Sequence, residues 1–332
     1  MKIASIASFK PISAVSMIFI IMVALLPLAY ANAGDHPPSV WMMPPPINNG
    51  RCFRDLFIHP NEWKETRSRI DGIGYADHWL NTQFNNQELK TWFAQLKSWH
   101  IKLGLEVGAV KPWSAQGAKT FQIERKMWDR FQSLGGHIAE IAMDEPFCSV
   151  RQDLKKPDSY AVEQTADFVA LVRKHYPQVK IGDIEPYPFF SLKELEWWIV
   201  SLNNRLAQLH VRGLDFFRLD TNWVTFSLYN QGTWSQVKQL EMFCRSRHLP
   251  FSLIYWASEF PAAQRLGLAD DATWYTSIMQ EGYDYALAGG SPDQYVIESW
   301  VDGPAHTLPE TGHFTFTRSV LDFCRRFVKE KH

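Results

Sequence analysis

Residues 135–146 read GGHIAEIAMDEP, a short apolar run between two glycines and two acidic residues. The glycines follow an amphipathic stretch that ends at Leu134, and a glycine pair is typical of the point where a helix stops. The run Ile138–Met143 has the apolar character of a strand that is buried on both faces of a parallel sheet. The segment therefore predicts the end of a helix, a buried strand and a polar turn.

The same pattern recurs along the chain, where short apolar runs alternate with longer amphipathic stretches. This alternation is typical of repeated βα units. Eight runs are predicted as strands: Val40–Met43, Gly72–Tyr75, Lys102–Val107, Ile138–Met143, Lys180–Ile184, Asp215–Leu219, Phe251–Tyr255 and Tyr295–Ile297. The predicted helices are Pro60–Arg69, Asn86–His100, Lys119–Leu134, Ser159–Tyr176, Leu192–Val211, Thr233–Arg247, Ala272–Leu287 and Thr315–Lys329.

Strands that are each followed by a helix, in roughly 300 residues, predict an α/β protein with a single (β/α)8 barrel, the TIM-barrel fold. A doubly wound sheet would contain fewer such units and a glycine-rich phosphate turn, and the sequence contains no GxGxxG. The chain shows no Pro/Ser-rich linker and no internal repeat beyond the βα alternation. We therefore expect one barrel domain over residues 34–332.

The first 33 residues have the layout of a secretory signal peptide. Lys2 and Lys10 precede an apolar run over residues 14–29, and small residues between positions 29 and 33 offer cleavage sites. We predict a signal peptide over residues 1–33 and a secreted or periplasmic protein. An uncleaved run would be about long enough to span a bilayer, so an amino-terminal anchor is the alternative, and no other membrane contact is predicted.

The composition argues against two classes of partner and favours a third. The chain has 34 basic and 35 acidic residues, which gives no electrostatic basis for binding nucleic acid or an anionic membrane surface. The 14 tryptophans exceed what a core of this size requires, and a surplus of aromatic rings indicates a stacking surface. The composition carries no prediction of oligomeric state.

The four cysteines lie in a chain that is expected to meet an oxidising compartment, and no CxxC occurs. Cys244 and Cys324 fall inside predicted helices with apolar neighbours, where buried free thiols are expected. Cys52 and Cys148 fall in predicted loops and are candidates for a disulfide.

Acidic residues occur near the ends of most predicted strands, where a barrel of this kind has its active site. They are Glu106 in strand three, Asp144 and Glu145 after strand four, Asp183 and Glu185 around the end of strand five, Asp220 after strand six and Glu298 after strand eight. An ionised carboxylate in a barrel core loses its hydration, so these positions require a reason. One or two of the acids are expected to pair with Arg218, Arg51 or Lys111 and brace the barrel mouth, and the others indicate a function. Paired carboxylates cleave glycosidic bonds: one protonates the leaving oxygen, and the other attacks the sugar or activates water.

Aromatic and polar side chains stand close to these acids in the sequence. Flat rings stack on the apolar faces of sugars, and Asp, Asn and His side chains bond to hydroxyls. The predicted carbohydrate-binding residues are Trp79, Tyr187, Trp223, Trp256, Trp300, Asp144, Asp220, Asn222 and His306. The segment Ser299–Thr311 is long for a βα turn and is predicted to form one wall of a cleft. No cofactor and no metal are predicted.

The sequence IAMDEP at residues 141–146 resembles the Asn-Glu-Pro ending of strand four in the large clan of retaining barrel glycosidases. The clan's glutamate is the general acid/base, a role that the resemblance assigns to Glu145, and Asp144 stands where the clan has Asn. The clan's nucleophile is a glutamate that ends strand seven. Here Glu259 arrives late after strand seven, whereas Glu298 ends strand eight. Glu298 is therefore the preferred nucleophile or base, and Glu185 is a further catalytic candidate.

These residues predict a glycoside hydrolase that acts on an oligo- or polysaccharide. Two other functions are left open. One is a carbohydrate-binding barrel without activity, because Asp144 departs from the clan's pattern and strand seven lacks the clan's glutamate. The other is a metal-dependent hydrolase or deacetylase that uses Asp77, His78 and neighbouring acids.

Overall fold

Eight parallel strands close into a barrel in which each strand pairs with the strands before and after it in the chain. The computed structural model describes residues 37–228 and 231–329. The strands are β1 Ser39–Met43, β2 Gly72–Ala76, β3 Lys102–Val107, β4 Ile138–Asp144, β5 Lys180–Tyr187, β6 Phe216–Thr221, β7 Phe251–Tyr255 and β8 Gln294–Glu298. The barrel closes where β1 pairs with β8, from Ser39 opposite Gln294 to Met43 opposite Glu298. The predicted single (β/α)8 barrel is confirmed, with every predicted strand in its predicted order.

The helices surround this barrel. They are α1 Ile47–Ile58, α2 Lys64–Arg69, α3 Asp77–Gln83, α4 Asn86–Ser98, α5 Gly117–Ser133, α6 Pro146–Cys148, α7 Asp158–His175, α8 Leu192–Gln208, α9 Val224–Leu228, α10 Trp234–Ser246, α11 Phe260–Arg265, α12 Asp271–Leu287 and α13 Phe316–Phe327. A 3-10 turn at Pro60–Trp63 precedes α2, and a π-helical turn at Ser149–Asp153 follows α6. Each predicted helix is present within a few residues of its predicted bounds.

The sequence did not reveal α1, α3, α6, α9 and α11. In α1 the reason is visible, because Asn48, Asn49 and Gly50 have left-handed backbone angles and interrupt the helix near its start. The other four are short segments next to the strand ends, too short to show a helical period in the sequence.

Reciprocal capping fixes the starts of two outer helices. At the start of α4, the Asn85 side chain accepts a hydrogen bond from the Glu88 N–H, and Glu88 accepts one from the Asn85 N–H. Ser191 and Glu194 form the same capping box at the start of α8. Each box satisfies backbone donors that the helix itself leaves unpaired.

A tryptophan on β1 fills the lower part of the barrel. A Cβ atom added at Gly72 or Gly104, on the neighbouring strands β2 and β3, would lie 2.3 or 2.7 Å from the Trp41 ring. These distances are far below van der Waals contact, so the ring occupies the space that larger side chains would need. The glycines on β2 and β3 therefore leave room for the Trp41 ring to fill the barrel interior.

The four cysteines are free thiols. Cys244 on α10 and Cys324 on α13 are buried, as predicted. The predicted pairing of Cys52 with Cys148 is wrong in this structure: Cys52 is buried on α1, a helix that the sequence did not reveal, and Cys148 lies on α6 beside β5.

The predicted signal peptide, residues 1–33, lies outside the described residues, so this assignment and the boundary at residue 34 stay predictions. Within residues 37–228 and 231–329, no helix is long and apolar enough to cross a membrane.

We expect Gly72→Ala to lower the free energy of unfolding by about 1–3 kcal/mol, because the added methyl group overpacks the Trp41 ring. Urea unfolding of wild type and variant measures the change. The control is the same substitution in a Trp41→Leu background, where the ring is gone and the loss should be smaller. An equal loss in both backgrounds would contradict the packing argument.

Candidate active site

A buried cluster inside the barrel, which we call the floor network, consists of Glu140, Arg218, Ser252 and Gln294. The Arg218 Nη2 atom donates to Glu140 Oε1 at 2.8 Å and to Gln294 Oε1 at 2.7 Å. The four residues come from β4, β6, β7 and β8, and because their side chains bond to one another, they point into the barrel. Because side chains alternate along a strand, Asp144, Asp220 and Glu298, each an even number of residues further along, also point inward.

Five acids therefore meet above the floor network, at the carboxyl ends of the strands. We call them the mouth carboxylates: Glu106, Asp144, Glu145, Asp220 and Glu298. Closure of the barrel brings together acids from β3, β4, β6 and β8. The predicted site residues Asp144, Glu145, Asp220 and Glu298 thus share one place, and Glu106 joins them.

Glu106 and Glu298 share a hydrogen bond across the barrel interior. Burial and the nearby Glu298 raise the pKa of Glu106 well above its usual range. Burial also raises the pKa of Glu298, to about 7, while the positive charge of Arg218 opposes the rise. Two carboxyls in contact cannot both ionise readily, so one member of the pair keeps a proton when the other is ionised. The other oxygen of Glu298, Oε2, is buried and has no hydrogen-bond partner among the described residues.

Sequence reasoning placed Glu106 on strand three but did not choose it as a site residue. The signal was present, since Glu106 is an acid within the otherwise apolar run Leu103–Val107. Only the closed barrel shows that this strand faces β8 closely enough for the two side chains to bond.

Glu145 follows β4 and has a left-handed backbone, with φ 48° and ψ 50°. A residue other than glycine in this region carries a strain of about 1–2 kcal/mol, which surrounding contacts must offset. The Glu145 N–H donates to the Ile184 carbonyl at 3.1 Å. Burial and the charge of Asp144 raise the pKa of Glu145 to about 7, and Lys111 opposes the rise.

Glu185 supports the turn that follows Glu145. Its carboxylate oxygens accept hydrogen bonds from the N–H groups of Phe147 at 2.7 Å and Cys148 at 3.1 Å. The residue is fully buried, and Asp183, two positions earlier, bonds to Trp198 on α8 outside the barrel. Glu185 therefore faces outward behind the mouth, where it holds the turn that follows Glu145, and burial and the charges of Asp183 and Glu145 raise its pKa well above its usual range.

Lys111 is the cation closest to the mouth carboxylates. Lys111 lies in the loop that follows β3, and its Nζ atom is 2.5 Å from Asp144 Oδ2.

Asp220 has a pKa raised well above its usual range by burial and by the charges of Glu145 and Glu298. Asp220 lies on β6, which in the closed barrel stands midway between β4, followed by Glu145, and β8, which ends in Glu298. Its buried Oδ1 atom has no hydrogen-bond partner among the described residues.

Two tryptophans form an aromatic surface beside the mouth. The Trp256 and Trp300 ring centroids are 4.2 Å apart. Trp256 is buried, whereas Trp300 is 45% exposed. Trp113, in the same loop as Lys111, is 57% exposed and was not predicted as a site residue. The predicted wall segment is tied to α2, because Glu310 accepts hydrogen bonds from the backbone of Glu65 and Thr66.

The other predicted sugar-binding residues have different surroundings. Tyr187 is buried and its hydroxyl donates to Gln236, so its ring is not an open stacking surface. Trp223 is half-buried and Asn222 is exposed, both just beyond β6. His306 is exposed and its Nδ1 atom lies 2.7 Å from Asp271.

Trp79 packs against Tyr75 and His78, half-buried on α3. In this packing its ring contacts other aromatic side chains of β2 and α3.

The residues of the metal-dependent alternative do not converge. Asp77 is buried and accepts a hydrogen bond from the Trp128 indole at 2.8 Å, whereas its neighbour His78 is exposed. Across residues 37–228 and 231–329, no group of three or more His, Cys, Asp or Glu side chains is arranged to hold a metal ion.

No protein-family model and no curated protein sequence matches the chain. Among solved structures it is similar to a psychrophilic glycoside hydrolase family 10 endo-β-1,4-xylanase, with 10% identity, coverage of 84% of this chain and 90% of that chain, and a TM-score of 0.48. It is also similar to a thermostable xylanase mutant from Cellvibrio japonicus, with 11% identity, 80% and 86% coverage, and a TM-score of 0.46. An aldo-keto reductase from Klebsiella pneumoniae in complex with NADPH matches with 9% identity, 89% and 93% coverage, and a TM-score of 0.44. These neighbours belong to unrelated enzyme classes, and the barrel of this chain is established by its own strand pairing.

We expect Lys111→Met to raise the pKa of Glu145 above its value of about 7, because the lysine charge favours the ionised carboxylate. At pH 7 a larger fraction of Glu145 would then be protonated. A ¹³C-glutamate NMR titration, with Glu145 assigned by the signal lost in Glu145→Gln, measures the shift. Lys126→Met, which removes an exposed lysine on α5, is the control. An unchanged or lowered value in Lys111→Met would be inconsistent with the observed contacts.

Proposed function

We propose that this protein is a secreted or periplasmic glycoside hydrolase that cleaves an oligo- or polysaccharide, with Glu145 as general acid and Glu298 as base or nucleophile. One observation carries the proposal: these two carboxyls come from β4 and β8, on opposite sides of the closed barrel, and each has a pKa raised to about 7. Glycosidic cleavage requires two such groups, one on either side of the scissile bond.

The raised pKa values suit both roles. A general acid works best when its pKa lies near the operating pH, because it must hold a proton and still release it. Glu145 meets this condition through burial and the neighbouring Asp144. We assign Glu298 as the member of its pair with Glu106 that ionises first, and its buried Oε2 atom, which has no partner among the described residues, as the atom that attacks carbon or takes a proton from water.

The surroundings of these groups suit a sugar. The exposed Trp300 ring, backed by Trp256, offers an aromatic face beside the carboxylates. Asp220 lies between Glu145 and Glu298 and has an oxygen free to accept a bond from a sugar hydroxyl. The predicted signal peptide adds a location in which polymeric carbohydrate is accessible.

We expect Glu145→Gln and Glu298→Gln each to lower the release of reducing ends by about 10²-fold or more, because each removes a group that transfers a proton or attacks the sugar. The assay compares purified variants on a polysaccharide panel. Glu163→Gln, on the exposed face of α7, should keep the wild-type rate. Full activity of either site variant would refute its assigned role. Saturable sugar binding by the wild type without release would instead establish the binding barrel.

The rate should be greatest near neutral pH. Glu145 must be protonated to donate, so activity falls as the pH rises through its pKa of about 7. Glu298 must be ionised, so activity falls as the pH drops through its pKa of about 7. We therefore expect kcat/KM to follow a narrow bell, each limb falling about tenfold per pH unit. A maximum below about pH 5 or above about pH 9 would conflict with these assignments.

A further inference from the structure

The floor network is a charged cluster in a part of the barrel that apolar side chains usually fill. Besides its bonds to Glu140 and Gln294, Arg218 donates through Nε to Ser252 at 3.1 Å. Ser252 donates to Gln294 at 2.7 Å, and Gln294 donates to Glu140 at 3.1 Å. Every member is buried, with Arg218 only 3% exposed.

Stability alone does not explain this cluster. Removing an ion pair from water costs several kcal/mol per ion, and well-packed apolar residues of the same size often serve as well or better. Hydrogen bonds do join all four side chains to one another. Because burying these charges costs free energy, we look for the role of the floor network in the carboxyls directly above it.

The floor network lies directly beneath the Glu106–Glu298 pair. A cavity of about 10 Å³ between the two levels is lined by Glu106, Glu140 and Arg218. After burial, the Arg218 charge is the largest influence on Glu298, and it favours the ionised form. For Glu106, the cation that favours ionisation is instead Lys111, and its effect ranks below those of burial and the neighbouring acids.

We propose that Arg218 is a positioning residue that keeps negative charge on Glu298 and leaves the shared proton on Glu106, and that Glu140 holds Arg218 in place and weakens its effect. The Arg218 guanidinium bonds to Gln294 on β8, the strand that ends in Glu298, and its positive charge favours the ionised Glu298 carboxylate, whereas the negative charge of Glu140 offsets part of that attraction. Glu106 then keeps its proton and donates a hydrogen bond to one oxygen of Glu298, and the buried Oε2 atom, which has no partner among the described residues, is left as the reacting atom. This inference rests on the proposed function only in the use that it gives to Oε2.

Other groups act on Glu298 and set the background for a test. The charged and titratable side chains that face it are Glu106 of β3, Asp144 of β4, and Arg218 and Asp220 of β6. On the adjacent strand β1, Met43 lies opposite Glu298, and Trp256 directly follows the last residue of β7; neither residue carries a charge.

The test uses two substitutions with opposite expected effects. Arg218→Met removes the favourable charge, so the pKa of Glu298 should rise above about 7. Glu140→Gln keeps the shape of the side chain but frees the Arg218 charge, so the same pKa should fall. Each shift is expected to be of order one pH unit, a tenfold change in the ratio of ionised to protonated Glu298. Arg218→Lys keeps the charge and should shift the value less than Arg218→Met.

The readout is a ¹³C-glutamate NMR titration of the full chain, with Glu298 assigned by the signal lost in Glu298→Gln. If Arg218→Met fails to fold, the downward shift in Glu140→Gln decides alone. Opposite shifts of the Glu298 pKa in the two variants support the proposal, because a merely structural role would not produce them. Shifts of that pKa in the same direction in both variants, or no shift in Glu140→Gln, overturn it. Because the titration needs no substrate, opposite shifts in a protein that hydrolyses no glycan would support the positioning role and reject the glycosidase.

Discussion

The hydrogen bond between the Glu106 and Glu298 carboxyls spans the barrel from β3 to β8, and it requires that one of the two groups keep a proton. Two ionised carboxylates in contact, away from water, would repel each other strongly. The charge on Glu298 also acts on Asp220, because together with burial and the charge of Glu145 it raises the pKa of Asp220 well above its usual range. The closed barrel enforces the contact by joining strands that lie far apart in the chain.

Backbone contacts hold the other half of the site. Glu145 has a left-handed backbone that costs energy, and Glu185 accepts hydrogen bonds from the two N–H groups that follow Pro146. The buried Glu185 carboxyl, behind the mouth, thus fixes the turn that carries Glu145. Lys111, bonded to Asp144, moderates the repulsion among the acids without neutralising them.

The arrangement differs from that of the glycosidase clan whose strand-four motif the sequence resembles. Glu259, the acid nearest the end of β7, bonds to Ser277 on α12, so it occupies a structural position. Glu298 ends β8, as the sequence predicted, and pairs with an acid of β3. The proposed base therefore stands one strand further round the barrel, and Asp144 rather than an amide precedes the proposed acid.

The sequence by itself determined the barrel, because buried parallel strands and amphipathic helices carry different apolar periods that can be read locally. It also determined which strand ends carry acids, since a carboxylate stands out in an apolar run. It could not determine that Glu185 faces outward while Asp220 faces inward, because β5 continues to Tyr187 and the closed barrel fixes the face of each residue. Only the tertiary structure decided that Glu106 meets Glu298 above Arg218, because the number of residues between them does not give their distance in space. The protonation of each group depends on charges that folding brings together.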